Sequence, residues 1–386
     1  MIRMPRIPHP KFDSPIVEHV VVLSELRSAV LTGSVLPEHF FQLKRIFQFL
    51  ESLQSARIEG NRTTIEEFVE EQINGDTGQS ESIREIQNLE DAVIYLEEAF
   101  KRAPTREIDH SLICELHRIT VKNLRDPRSG GEGDDTPGRY RSKSVKIVGA
   151  DHKPPPPWDV EAEMNELVLF INQQIPLQME LLRIAIAHHH LTYIHPFTNG
   201  NGRVARLLTY GMLIKAGYRV DVGRILNPTA VFVHDRKAYM NALQHADEGS
   251  DTNLLDFCEY VLGGLRLVFE KVHQLTNAGY VETQIMLPSF DLAVQRAILS
   301  PMERRVVEDL WRNQICESKH FSRWYPQKKG ASLSQEIAHW KRRKLIRPYP
   351  TNSSRKYIVE LEHGPLLRCI IHVLHQQGFL PFAPDA

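Results

Sequence analysis

Cysteine is scarce in this 386-residue chain: Cys114, Cys258, Cys316 and Cys369 stand far apart with no paired spacing. That gives no metal-site spacing, and it suits reduced thiols in the cytoplasm. No apolar run is long enough to span a bilayer. The first 14 residues carry prolines and charges but no signal-peptide core. A cytoplasmic protein with no membrane partner is the expectation. An excess of one sign of charge is missing too, because the formal net charge is −1, so bulk electrostatics neither predicts nor excludes a nucleic-acid partner. Strand signal is thin before residue 290.

What is present is helical periodicity. Apolar residues at three-four spacing predict helices over roughly 20–50, 80–103, 107–124, 159–173, 179–191, 202–216 and 252–275. The length supports two or three domains with a sizeable core. The divisions expected are an N-terminal helical region at 1–105, a helical core at 106–275, a linker at 276–299 and a separate module at 300–386. His188, His189 and His190 are consecutive, so they point to different sides of a helix and cannot converge on one ion. They are read as packing residues.

Residues 195–206 say most about chemistry, reading His-Pro-Phe-Thr-Asn-Gly-Asn-Gly-Arg-Val-Ala-Arg. His195 can take a proton near neutral pH. The Gly200-Asn201-Gly202 turn lets backbone N–H groups approach an anion, and a helix starting there adds a favourable field for phosphate. Arg203 and Arg206 are one turn apart, so both forks can reach one charge cluster.

This segment resembles the signature of the Fic family, HPFx(D/E)GNGRxxR, whose members mostly transfer AMP from ATP to a hydroxyl of a target protein. Every defined position matches except Asn199, where an acidic residue is usual. The resemblance covers about residues 40–275 and implies an all-α, Fic-type helical core with a short β-hairpin flap. It implies His195 as general base, an anion hole at Gly200, Asn201 and Gly202 with Asn201 orienting the α-phosphate, and Arg203 and Arg206 on the β- and γ-phosphates. Phe197 is read as a packing anchor. The family's carboxylate at position 199 ligates Mg²⁺, a hard cation that prefers charged oxygens. Asn199 therefore implies a weakened metal site, slower transfer or another nucleotide. Tyr239 and Asp247 lie near where related proteins contact adenine.

Residues 55–60, Ser-Ala-Arg-Ile-Glu-Gly, fit the family's (S/T)xxxE(G/N) inhibitory motif. Its Ser55, Glu59 and Gly60 imply inhibition in cis, with Glu59 pairing with Arg206 and taking that arginine from the γ-phosphate. Between the two motifs, Gly138-Arg139-Tyr140-Arg141 and then Val145-Lys146-Ile147-Val148-Gly149 alternate as a short hairpin. It resembles the flap that pairs with the target by strand addition through Val145, Lys146 and Ile147. Prolines 154–157 stop that strand before a helix.

From about residue 300 the chain resembles a winged helix-turn-helix of α+β type. One helix is expected at 302–311, a second at 332–346 opened by a Ser332 cap, and a two-strand wing at 349–359. Basic residues cluster there, among them Lys341, Arg342, Arg355 and Lys356. DNA binding and protein docking are both open on such a patch. The first reading is an autoinhibited AMP transferase acting on target proteins and on itself. The alternatives are a DNA-binding regulator with a nucleotide-sensing or inactive core, and an enzyme that removes AMP. A homodimer is compatible with the sequence, though no residue demonstrates one.

Overall fold

A computed structural model describes residues 4–28, 37–64, 67, 70, 80–147, 151–218, 230–233, 235–275 and 277–380. The chain divides into two units. The first collects Met1–Val30, Phe47–Thr63 and Thr77–Val272, the second Leu31–Ile46, Thr64–Asp76 and His273–Ala386.

Among its described residues the first unit is built of helices and loops, with no strand. It holds α1 (Pro15–Ser28), residues 47–58 of α2 (Pro37–Ile58), α3 (Glu81–Arg102), α4 (His110–Thr120) and α5 (Pro157–Asn172). After these come α6 (Glu180–Ile194), α7 (Asn201–Lys215), α8 (Ala230–Val233), α9 (Arg236–Asp247) and residues 251–272 of α10 (Asp251–Leu275). The helix expected over 20–50 is thus two helices. Pro37, with its preset φ, begins the second, as prolines at a first helical position do.

Helices α6 and α7 pack on each other, with α5 against α6 and α3 and α4 against α7. Helix α6 is buried on every side, which is why its sequence reads apolar almost throughout. Side-chain caps fix where α3, α4 and α9 begin: Ser80 accepts from the Ile83 N–H, Asp109 from Leu112 and Asp235 from Ala238. The three histidines of α6 diverge. The His188 ring bonds Thr209 Oγ1 and the Tyr239 hydroxyl, each at 2.8 Å, and His189 bonds Asp247 at 2.9 Å. His190 faces Glu163 at 3.7 Å.

In the second unit the stretch expected as a linker is helical: Ala278–Tyr280, a π-helix at Val281–Met286, then α11 (Leu287–Gln295). There follow α12 (Pro301–Arg312), β1 (Cys316–Glu317), α13 (Phe321–Trp324) and α14 (Ala331–Arg342). The chain then forms β2 (Ile346–Pro348), β3 (Lys356–Val359) and α15 (Leu366–Gln376). The sheet is antiparallel with order β1-β3-β2, Cys316 opposite Tyr357 and Ile346 opposite Val359. Helix α14 starts at Ala331 behind Gly330 with no side-chain cap, so Ser332 does not serve as the cap expected of it. An N-terminal piece belongs here too. Gln42 donates to the Val359 carbonyl and accepts from the Leu361 N–H, and His39 stacks on Trp311 at 4.2 Å. No helix among the described residues is long and apolar enough to cross a membrane.

Candidate functional site

The loop between α6 and α7 carries the histidine motif. Helix α6 ends in His195, whose backbone is left-handed (φ 51, ψ 58), and Gly200 (φ 75) precedes α7. A Cβ at Gly200 would be strained by that φ and would sit 3.2 Å from Val121. No side chain caps α7, so its first N–H groups have no side-chain acceptor, the arrangement an anion site requires.

Several side chains far away in sequence hold this loop. Asp134 Oδ2 accepts from the Thr198 and Asn199 N–H groups, both at 3.1 Å. His117 stacks on Phe197 at 3.9 Å and 7°, and its Nδ1 accepts the Gly138 N–H at 2.9 Å. The His117 proton therefore sits on Nε2, which donates to the Asn199 carbonyl at 3.2 Å. Burial works against ionisation of Asp134, but His117 and the backbone donors hold its carboxyl below the usual range. Phe197 is fully buried. Asn201 is turned inward: Oδ1 accepts the Phe197 N–H at 2.8 Å and Nδ2 donates to the Phe197 carbonyl at 2.9 Å. Its side chain staples the loop.

His195 is half-buried, with Nδ1 3.4 Å from the Thr192 carbonyl, which places the proton on Nδ1 and leaves Nε2 basic. Burial pulls its pKa down to about 4, with the Thr192 carbonyl and Glu59 opposing, so the ring is neutral at pH 7.

The two arginines have different surroundings. Arg206 donates through Nε to Ser55 Oγ at 2.9 Å, and through Nη2 to the Ser55 carbonyl at 3.0 Å and Glu59 Oε1 at 2.7 Å. The sequence-predicted Ser55, Glu59 and Arg206 are thus brought together, with Gly60 closing the end of α2. Although burial opposes it, Arg206 and Arg203 hold the Glu59 carboxyl below its ordinary pKa. Gly202 makes room for this pair, since a Cβ there would lie 2.3 Å from Glu59 Oε1. Arg203 is fully buried and bonds Glu85 Oε1 at 2.8 Å and the Glu132 carbonyl at 3.0 Å. Its direct partners are thus Glu85 and Glu132, while its charge still acts on Glu59 beside Arg206.

Tyr239 is buried with its hydroxyl on His188, whose pKa burial lowers to about 3. Asn199 Oδ1 accepts the Gly200 N–H at 2.7 Å, and Nδ2 lies 3.3 Å from Glu132 Oε2. The expected flap hairpin does not form among the described residues 138–147, and Val148 and Gly149 lie outside them. Val145, Lys146 and Ile147 are non-helical and partly exposed, with no backbone-to-backbone hydrogen bond to other described residues.

Glu85, His117, Glu132, Asp134 and Arg141 were not singled out as site residues from sequence. Glu85 left one signal, an acid between Ile83 and Ile86 on the buried face of α3.

The description of the Fic/DOC family matches residues 107–213. The "Protein adenylyltransferase Fic" of Nematostella vectensis is 34% identical over 159 residues, 40% of this chain and 34% of that protein. Its namesake in Drosophila virilis is 28% identical over 234 residues, 60% of this chain and 44% of that protein. The chain thus spans a third to under half of the length of these curated relatives. A Fic family protein from Desulfovibrio desulfuricans shares the fold with a TM-score of 0.56 and 22% identity, over 92% of this chain and 98% of that one. The stretch that matches the Fic/DOC family, residues 107–213, holds the His195 loop and most of helix α7.

Proposed function

We propose that this chain is a protein adenylyltransferase that moves AMP from ATP to a Ser, Thr or Tyr hydroxyl, and that Glu59 holds it inactive. The curated relatives are named for that activity. The observation that carries the reading is the 2.7 Å pair of Glu59 with Arg206, set against Gly202 at the start of the helix that follows the His195 loop. The target hydroxyl oxygen attacks the α-phosphorus, the bond from that phosphorus to the bridging oxygen breaks, and pyrophosphate leaves. His195 Nε2 accepts the hydroxyl proton and passes it to solvent. The first N–H groups of α7 offset phosphate charge, and Arg206 pairs with the terminal phosphates once Glu59 moves away. Backbone at 145–147, free of other pairing among the described residues, takes the target segment by strand addition.

Mg²⁺ would come with ATP, but the donors at position 199 do not fit it. A hard cation favours charged oxygen, whereas the Asn199 amide oxygen is occupied by the Gly200 N–H. No step here passes through the metal. The test is incubation of wild-type, Glu59→Gly and Glu59→Gly/His195→Ala proteins with α-labelled ATP and Mg²⁺. Label on the chain or an added protein should appear with Glu59→Gly and vanish with the double variant. Equal label on wild type and Glu59→Gly would overturn the inhibitory role, and none from any form would overturn the transferase reading.

A second reading concerns the second unit alone. Lys341 and Arg342 at the end of α14, and Arg355 and Lys356 at the β2–β3 turn, are exposed and make no ion pair among the described residues. Such cations suit DNA phosphates. If duplex DNA is the partner, affinity falls with salt at a slope near −0.9 per phosphate neutralised, read by anisotropy of a labelled oligonucleotide. A flat response would leave protein docking.

A further inference from the structure

We propose that Arg141 is a positioning residue that fastens both ends of the target-docking segment to the main chain of His195, an inference that rests on the transferase reading. One guanidinium makes the side-chain links. Its Nε donates to the His195 carbonyl at 2.7 Å and its Nη1 to the Lys143 carbonyl at 3.1 Å. Its Nη2 reaches the Pro155 carbonyl at 2.6 Å and the Ile194 carbonyl at 3.2 Å. The Arg141 N–H adds a bond to the Pro196 carbonyl at 2.8 Å. Lys143 stands just before the docking residues 145–147 and Pro155 just after the segment rejoins the core. Both are therefore tied to the same group as the histidine.

The choice of residue is costly. Arg141 is only 3% exposed and has no carboxylate partner among the described residues, so its charge is met by carbonyl dipoles alone. Burying an unpaired charge is unfavourable, and neutral donors could tie a loop at less expense. What they lack is the rigid fork, which reaches carbonyls of three separate segments at once.

His195 needs that fixing. Its φ of 51° is a conformation non-glycine residues seldom adopt, and it persists only where surrounding bonds over-determine it. The His195 N–H is held by Leu191 on one side and its carbonyl by Arg141 on the other. Main chain displaced at Lys143 by a docking peptide moves a group bonded directly to His195. The Arg141 charge also disfavours a second charge on the imidazole, in the same direction as the burial that keeps the ring neutral.

The test uses Arg141→Gln and Arg141→Lys in the full chain carrying Glu59→Gly. ATP affinity, which depends on the glycine turn and Arg206, should stay within about twofold, while the turnover number of labelling falls by about a hundredfold. By NMR, the His195 imidazole should titrate higher in Arg141→Gln than in the parent, and closer to the parent in Arg141→Lys, which keeps the charge. The titration requires neither nucleotide nor target, so it reports on Arg141 even if the chain transfers no AMP. If Arg141→Gln does not fold, Arg141→Lys carries the turnover comparison. Unchanged turnover and unchanged titration would overturn the proposal, as would a loss of ATP affinity and melting temperature that accounts for the whole loss of rate.

Discussion

Removing the Glu59 carboxylate should move stability and nucleotide affinity in opposite directions. Glu59 Oε1 sits 2.7 Å from Arg206 Nη2, and the glutamate side chain is 29% exposed. A hydrogen bond between charged groups contributes about 1.5–3 kcal/mol, which partial solvent screening brings to about 1–2 kcal/mol here. An incoming phosphate must displace that bond before it can use Arg206. Glu59→Gly should therefore tighten ATP binding by about 5- to 30-fold, at 1.4 kcal/mol per tenfold. The arginine itself stays in place, because Ser55 still offers its hydroxyl and carbonyl at 2.9 and 3.0 Å. The folded state loses the same contact, so the melting temperature should drop by a few degrees, at about 2–4 °C per kcal/mol for a chain of this size. Calorimetric ATP titration and a thermal melt of the two proteins read both quantities. Affinity unchanged within about twofold would refute the competition argument, as would a melting temperature that rises along with affinity.

Gly202→Ala should expel the glutamate without deleting it, since the new Cβ would stand 2.3 Å from Glu59 Oε1 and 3.1 Å from Arg206 Nη1. Labelling should rise above wild type but stay below Glu59→Gly because the methyl narrows the turn; a rate equal to wild type would count against the contact. Glu85→Ala should cost about 3–5 kcal/mol in urea unfolding, because it strips a fully buried Arg203 of its closest carboxylate. A loss below about 1 kcal/mol would show that the remaining Glu132 contacts suffice. The histidines set a pH dependence. His195 and His188 have folded pKa values of about 4 and about 3 against 6.5 for the free ring, so only the unfolded chain takes up their protons as pH first falls below 6.5. Their contribution to stability is full above pH 6.5 and declines below it, down to about 4 for His195, by at most about 1.4 kcal/mol per pH unit for each ring. Labelling by Glu59→Gly should stay level from pH 8 to about 5 if His195 keeps that value with ATP bound; an acid limb near 6.5 would contradict the burial argument.

Local information was enough for the parts of this protein that act over one or two turns of chain. The His195 loop and α7 could be read directly because a helix start, its glycines and its two arginines occupy twelve consecutive residues. Helical periodicity likewise located α3, α5 and α10, whose buried faces repeat at the helical spacing, and the apolar runs located α6 and α7. The contact between Glu59 and Arg206 was expected only from the resemblance to the Fic family, since the short motif around Glu59 reads by itself as an ordinary helix end. Other features depend on contacts between residues far apart in the chain. Arg203 and Arg206 look equivalent in sequence, yet packing against α3 gives one to Glu85 while the end of α2 gives the other to Glu59. Residues 37–46 precede the stretch that matches the Fic/DOC family but belong to the C-terminal unit, through bonds such as Gln42 to β3. The flap's alternating pattern did not produce a hairpin among the described residues; Arg141 binds the Lys143 and Pro155 carbonyls instead. A side chain's type and local spacing are written in the chain. Which of several possible partners a buried charge meets depends on which helices pack beside it, and only the tertiary structure decides that.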